Sequence, residues 1–212
     1  MGKNVYWVGG SKGGVGTSIT AMALLDYLRA KSEPTLLVET DTANSDVWKC
    51  YGNLVASEVL DLDVADGWIH LVNTCHKQSE KTVVVNTTAR NNTAVARFGQ
   101  TLNNTLEDLQ RELVVLWLIN RQRDSLELLH SFHEAVPKAF IHVLRNGYFG
   151  EAPKFERYNG SKIREMIEAR GGRSVLFPDL ADRVADDLFT ERLPIETALK
   201  DLPLGNRAAL AR

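Results

Sequence analysis

Cysteine, proline and any surplus of one charge are all scarce in this chain. Only Cys50 and Cys75 occur among 212 residues, without CxxC spacing, which excludes a disulfide framework and points to a reducing compartment. Lysine plus arginine number 25 against 27 acidic residues, a formal net charge of -2. No global basic field therefore recruits nucleic acid, and DNA stays open as a partner only through a local patch. No run approaches the ~20 apolar residues of a membrane span, and the opening MGKNVYWVGG lacks the apolar region of a signal peptide. The expectation is a cytoplasmic protein without membrane contact, in which the glycosylation-like triplets at Asn86, Asn91, Asn103 and Asn159 are idle. With 6 prolines and no repeat or low-complexity tract, nothing marks a linker.

What the chain does have is 44% hydrophobic residues, enough for one substantial core, so residues 1–212 are read as one domain. Short, continuously apolar runs at 5–8, 35–38, 82–85, Leu113–Ile119, 139–144 and Ser174–Phe177 read as buried strands. Between them, helical spacing appears from Ser18 through Leu28, around Trp68, Leu71 and Val72, and over 93–110, 126–135 and 161–170. The stretch 147–160 reads as a long ordered loop, and Pro178 opens C-terminal helices. Buried strands alternating with helices predict an α/β fold: a doubly wound, mainly parallel sheet with helices on both faces. In such sheets ligands gather beyond the carboxyl ends of the strands.

The first strand runs into Ser11, Lys12, Gly13, Gly14, Val15, Gly16, Thr17 and Ser18, after which a helix begins. Glycines allow successive backbone N–H groups to converge on one point, and a helix N-terminus adds its positive end. The run is thus a candidate phosphate loop, with the Ser18 hydroxyl as a candidate Mg²⁺ ligand.

This KGGVGTS run resembles the deviant Walker A loop of the ParA/MinD family of P-loop ATPases. The resemblance implies ATP or ADP with Mg²⁺ as ligands, and a nucleotide-dependent homodimer in which Lys12, matching the signature lysine, reaches the partner's nucleotide. Thr17 departs from the family, which has its phosphate-holding lysine there. The segment Glu39-Thr40-Asp41-Thr42-Ala43-Asn44 resembles the switch I segment, making Asp41 a candidate for positioning water, with Glu39 as a second acidic group; a turn or helix cap is the alternative for Asp41. Val83-Val84-Val85-Asn86 resembles the Walker B strand, but Asn86 stands where the family has Asp. Asp41 and Asn86 are candidates for holding the metal through water.

Asn120 and Asn146 each follow a strand, and an amide there either reads the edge of a base or serves a turn. Relatives place a base-recognising Asn where Asn146 falls, and wrap the base where Pro178 and Asp179 fall. Arg121, Arg123, Arg145 and Arg183 form either a basic rim or solvated ion pairs. Trp48, Trp68 and Trp117 fit core or interface packing.

The resemblance implies an ATP-dependent dimerisation switch in plasmid partition, stability or conjugative mobilisation, with hydrolysis weakened or lost by Thr17 and Asn86. The alternatives are a nucleotide-binding adaptor without turnover and a small-molecule kinase or ligase on the same architecture.

Overall fold

In the computed structural model, residues 3–211 are described; Met1, Gly2 and Arg212, the ends of the expected single domain, lie outside them. The first half of the chain runs β1 (Val5–Gly10), α1 (Thr17–Ala30), β2 (Thr35–Glu39), α2 (Asp46–Tyr51), β3 (Ala56–Val59), α3 (Ala65–Lys77), β4 (Thr82–Asn86) and α4 (Asn91–Thr105). The second half continues β5 (Leu113–Ile119), α5 (Arg123–Ala135), β6 (Phe140–Asn146), α6 (Glu156–Asn159), α7 (Lys162–Ala169) and β7 (Ser174–Phe177). It closes with α8 (Asp182–Thr190), α9 (Ile195–Asp201) and α10 (Leu204–Leu210).

The strands form one seven-stranded sheet in the order β3-β2-β4-β1-β5-β6-β7, with every pairing parallel. Strand side chains alternate between two buried layers. Val5, Trp7, Val83, Val85, Val115 and Trp117 pack with α3, α4 and α5 on one face. Val8, Leu37, Val84, Leu118 and Leu144 pack with α1 and α2 on the other, where Leu188 of α8 and Ala198 of α9 join them. The first layer is aromatic: Trp7 stacks on Trp68 at 5.6 Å between centroids, and Phe132 lies 4.9 Å from Trp117. The chain first builds towards one edge from β1 and then crosses to the other, so a crevice opens at the carboxyl end of β1.

The doubly wound expectation holds, and the sheet is wholly parallel. Two elements have no counterpart in the sequence reading. Strand β3 reads Ala-Ser-Glu-Val and lies at an edge with no fully buried residue, so it lacks the apolar run of a central strand. Helix α2 has only six residues, too few to establish a period. The helix expected over 93–110 stops at Thr105, and Gln110 reverses the backbone with φ 53° before β5. The loop expected over 147–160 contains two 3-10 turns and α6, and buries Phe155 and Tyr158. Trp48 is exposed, so the core reading holds for Trp68 and Trp117 but not for it.

Candidate functional site

The loop between β1 and α1 takes its shape from two glycines with left-handed backbone, Gly14 at φ 77° and Gly16 at φ 96°. A side chain at either position would be strained. Gly16 occupies the N-cap position of α1, which no side chain caps and whose first turn holds no acidic residue. The first N–H groups of α1, which no helix satisfies internally, are therefore presented to the crevice together with the positive end of the dipole.

Two asparagines brace this loop from neighbouring strand ends. Asn146, at the end of β6, donates from Nδ2 to the Val15 carbonyl at 2.9 Å and accepts the Tyr148 N–H at 2.9 Å. Asn120, past the end of β5, accepts from the Ser125 hydroxyl at 2.7 Å and from the Gln122 N–H at 2.9 Å. Ser125 in turn meets the Ser11 hydroxyl at 2.6 Å. Both amides hold backbone, so both serve turns, whatever else Asn146 touches.

A cavity of about 330 Å³ adjoins the loop. Its walls bring together Gly14, Gly16, Thr17, Ser18, Asn146, Pro178 and Asp179 from three strand ends. Ser11 and Val15 are buried beside it, while Gly13 is exposed. Lys12, Asp41 and Asn86 are not among its lining residues; Asp46, Tyr148, Phe177, Asp182 and Phe189 are. Of the added residues, Tyr148 was findable, because it lies two positions past a strand end. Asp46 was not, because it opens the unrecognised α2. Among the described lining residues there is no lysine or arginine, as the threonine at position 17 foreshadowed.

Lys12 faces α5 instead. Its Nζ lies 2.6 Å from Asp124 Oδ2 and donates to Gln122 Oε1 at 2.9 Å. The lysine hydrogen bond holds the exposed Asp124 carboxyl below the usual carboxylate range. Of the four candidate rim arginines, Arg123 forms a solvated ion pair with Glu127 within α5, whereas Arg145 binds the neutral Asn159 and the Ser174 carbonyl and is in no ion pair among the described residues.

On the other side of β1, Asp41 turns its carboxylate inward to the chain. Its Oδ1 accepts the Ala43 and Asn44 N–H groups at 3.1 and 2.9 Å, with Arg90 at 3.8 Å. This is the turn alternative. Glu39 ends β2 and is 0% exposed, and strand register places it beside Asn86 at the end of β4. Its Oε1 accepts the Asp41 N–H at 3.0 Å and Asn86 Nδ2 at 2.9 Å. Glu39 Oε2 and Asn86 Oδ1 are also buried, and neither has a hydrogen-bond partner among the described residues. Each such buried, unsatisfied atom costs about 1–3 kcal/mol. Burial pushes the Glu39 carboxyl above its ordinary range, against the Asp41 and Asn86 hydrogen bonds. The Trp48 N–H also favours the charged carboxylate, but it stays short of hydrogen-bond geometry and leaves Oε2 unpaired.

No protein-family model matches the chain. Its architecture is similar to that of the MinD cell division protein of Aquifex aeolicus, with TM-score 0.58 over 98% of this chain and 93% of that one, at 13% identity. It is also similar to a nucleotide-binding protein of Archaeoglobus fulgidus solved in complex with ADP, with TM-score 0.56 over 94% and 92% of the two chains, at 11% identity. At such identities these likenesses establish the fold, which is the P-loop fold that the loop resemblance implies. In sequence, the chain is 57% identical to Protein MobD of Acidithiobacillus ferrooxidans over all 212 residues, 100% of this chain and 93% of that protein. The chain therefore belongs to the family of MobD.

Proposed function

We propose that this protein is a cytoplasmic, ParA/MinD-like nucleotide-binding switch whose state sets its self-association and partner binding in mobilisation. The observation that carries this reading is the cavity shared by the uncapped, glycine-shaped N-terminus of α1 and the Pro178-Asp179 segment after β7. The first offers converging N–H groups for phosphate oxygens, and the second an apolar wall with adjacent backbone for a base. The name of the MobD relative fits mobilisation, and the ADP complex of the Archaeoglobus protein fits a nucleotide in this fold. Among the described residues no group of three or more His, Cys, Asp or Glu gathers to hold a metal, and no helix is long and apolar enough to cross a membrane.

Mg²⁺ is the ion a nucleotide would bring here, because it binds through few protein ligands, keeps several waters and leans on phosphate oxygens. Ser18 supplies the hydroxyl. A bound ion screens phosphate charge and orients the terminal phosphate. Gly13, Gly14 and Gly16 let the loop backbone approach the phosphates, and Thr17 adds a hydroxyl without charge. Asn146 keeps the Val15 carbonyl turned away from the phosphates and retains one N–H for the base. Lys12, released from Asp124, reaches towards a second copy in a two-fold dimer. Asp41 orients water only if its turn opens.

A second reading, a nucleotide-binding adaptor without turnover, is favoured by the lack of lysine and arginine in the cavity wall, because charge stabilisation carries most phosphoryl-transfer catalysis. Binding and turnover of ATP with Mg²⁺, read together with light scattering on the native chain, Lys12→Ala and Thr17→Lys, separates the two. The switch reading expects dimerisation that Lys12→Ala abolishes and turnover that Thr17→Lys raises. Binding and dimerisation with no turnover in either background selects the adaptor, and absence of nucleotide binding in every variant defeats both.

A further inference from the structure

Behind the crevice, the core layer that packs on α1 is left open. Ile19, Phe177, Leu180, Ile195 and Leu210 pack against that layer without being fully buried, and all five line one cavity of about 390 Å³. Ligand sites occupy about 300–1,000 Å³. Tyr27 of α1 also lines the cavity and is 59% exposed, whereas Thr17, Ser18 and the loop glycines do not line it. Helix α10 forms one wall. It has no fully buried residue among those described, and Asn206 Nδ2 ties it to Asp187 of α8 at 2.6 Å.

The charge around the cavity has one sign. Asp26 and Asp179 line it, and among the described lining residues there is no lysine or arginine. Asp26 Oδ1 accepts the Glu196 N–H at 3.1 Å, which fixes that carboxylate against α9. Residues 179–201, which carry α8 and α9, hold seven acidic side chains against three basic ones, in a chain whose net charge is only -2. The cations close by in the chain are engaged: Arg29 lies 3.6 Å from Glu196, and Lys31 lies 5.8 Å from the Tyr27 ring centroid. A second copy docked here would bring two acidic segments together, and an anionic lipid surface or a nucleic acid would be repelled. A cationic segment with apolar anchors answers both the open core and the carboxylates, and the space between α1 and α10 suits a helix laid in a groove.

We propose that this cavity docks a basic amphipathic helix of a partner protein, with apolar residues against Phe177, Ile195 and Leu210 and lysines or arginines against Asp26, Asp179 and the acidic segment. The proposal stands without the nucleotide-binding reading. Ile19 and residues 177–180 line the first cavity as well, so a docked helix touches the wall of the crevice.

The test is fluorescence anisotropy, without nucleotide, of labelled peptides of about 18 residues: leucine and lysine at helical spacing, the same pattern with glutamate for lysine, and the leucine–lysine composition scrambled. The native chain should bind the first peptide at least about tenfold more tightly than either control, and should bind it more weakly as salt rises. Ala209→Trp, which fills the cavity from an exposed position on α10, should lose at least about tenfold, the scale of one interface anchor. Tyr27→Ser carries the same expectation if Ala209→Trp fails to fold by circular dichroism. Equal binding by the filled variant, equal binding of either control peptide, or no binding of the leucine–lysine peptide overturns the proposal. Self-association of the native chain, or its pelleting with anionic vesicles, that Ala209→Trp abolishes assigns the cavity to a second copy or to a membrane and overturns it too.

Discussion

The two sides of β1 are finished differently. Towards β5 and β6 the polar side chains that shape the loop are engaged within the protein, Asn146 with Val15 and Tyr148, Asn120 with Ser125 and Gln122, Ser11 with Ser125, and the unpaired Trp117 Nε1 and Arg145 Nε of those strands are not loop contacts. Towards β4 and β2 the same row of strand ends stops short, with Glu39 Oε2 and Asn86 Oδ1 buried and unpaired. Buried polar groups in folded proteins are satisfied as a rule, and exceptions gather where function needs them. The first side is a cradle already set, and the second keeps two acceptors unmet. Substitutions of similar size should therefore have opposite signs on the two sides.

The largest effect is expected on the set side. Gly16→Ala puts a Cβ 3.0 Å from Asn146 Nδ2 on a backbone at φ 96°, and forcing such a conformation costs about 1–3 kcal/mol. Because the displaced amide also braces Val15, ADP affinity should fall at least about tenfold, the equivalent of about 1.4 kcal/mol. Asn146→Ala should cost a comparable amount by stranding the Val15 carbonyl and the Tyr148 N–H, about 1–3 kcal/mol for such groups. Urea denaturation beside calorimetric ADP titration measures both, and a stable, binding-competent Gly16→Ala would contradict the description of the loop as pre-shaped.

On the unfinished side the sign reverses. Glu39→Gln keeps an acceptor for the Asp41 N–H and removes a buried acid, against the loss of the attraction from the Trp48 N–H. The ligand-free variant should be more stable than the native chain by about 1 kcal/mol, the low end of the cost of a buried, unsatisfied polar atom. Urea denaturation without nucleotide or divalent ion gives the answer, and a destabilised variant would mean that the strand ends are already satisfied in a way their geometry does not show.

That contrast also marks how far the sequence could be read. The loop was legible because its information is local: glycines at fixed offsets between an apolar strand and a helical period. Strand β5, at Leu113–Ile119, and strand β7, at Ser174–Phe177, were legible at their observed bounds because continuous apolar runs are hard to place elsewhere. Strand β3 escaped because an edge position demands no such run. Position 86 was recognised as a departure, but its contact with Glu39 was not, because the two meet through strand register across 47 residues of chain. Asn146 was singled out for its place after a strand. Its hold on Val15, 131 residues away, is a tertiary fact that no spacing rule contains.

The smallest expected effect lies away from both strand ends and isolates what the fold alone contributes to pH dependence. His142 on β6 accepts the Arg173 N–H through Nδ1 at 3.1 Å, which requires that nitrogen to be unprotonated. Burial first, and then the Arg173 charge, lower its pKa from the ordinary 6.5. The unfolded chain therefore takes up a proton before the folded one does as pH falls. Stability from this group is fully present above about pH 7.5 and declines through 6.5 towards the lowered folded value. His133 on α5 is lowered in the same direction, chiefly by burial, so His142→Asn should flatten the loss of melting temperature between pH 7.5 and about 5.5 without abolishing it. An asparagine oxygen still accepts from Arg173, so the variant changes titration more than packing. An unaltered pH slope would assign the acid sensitivity to other groups, His133 first among them.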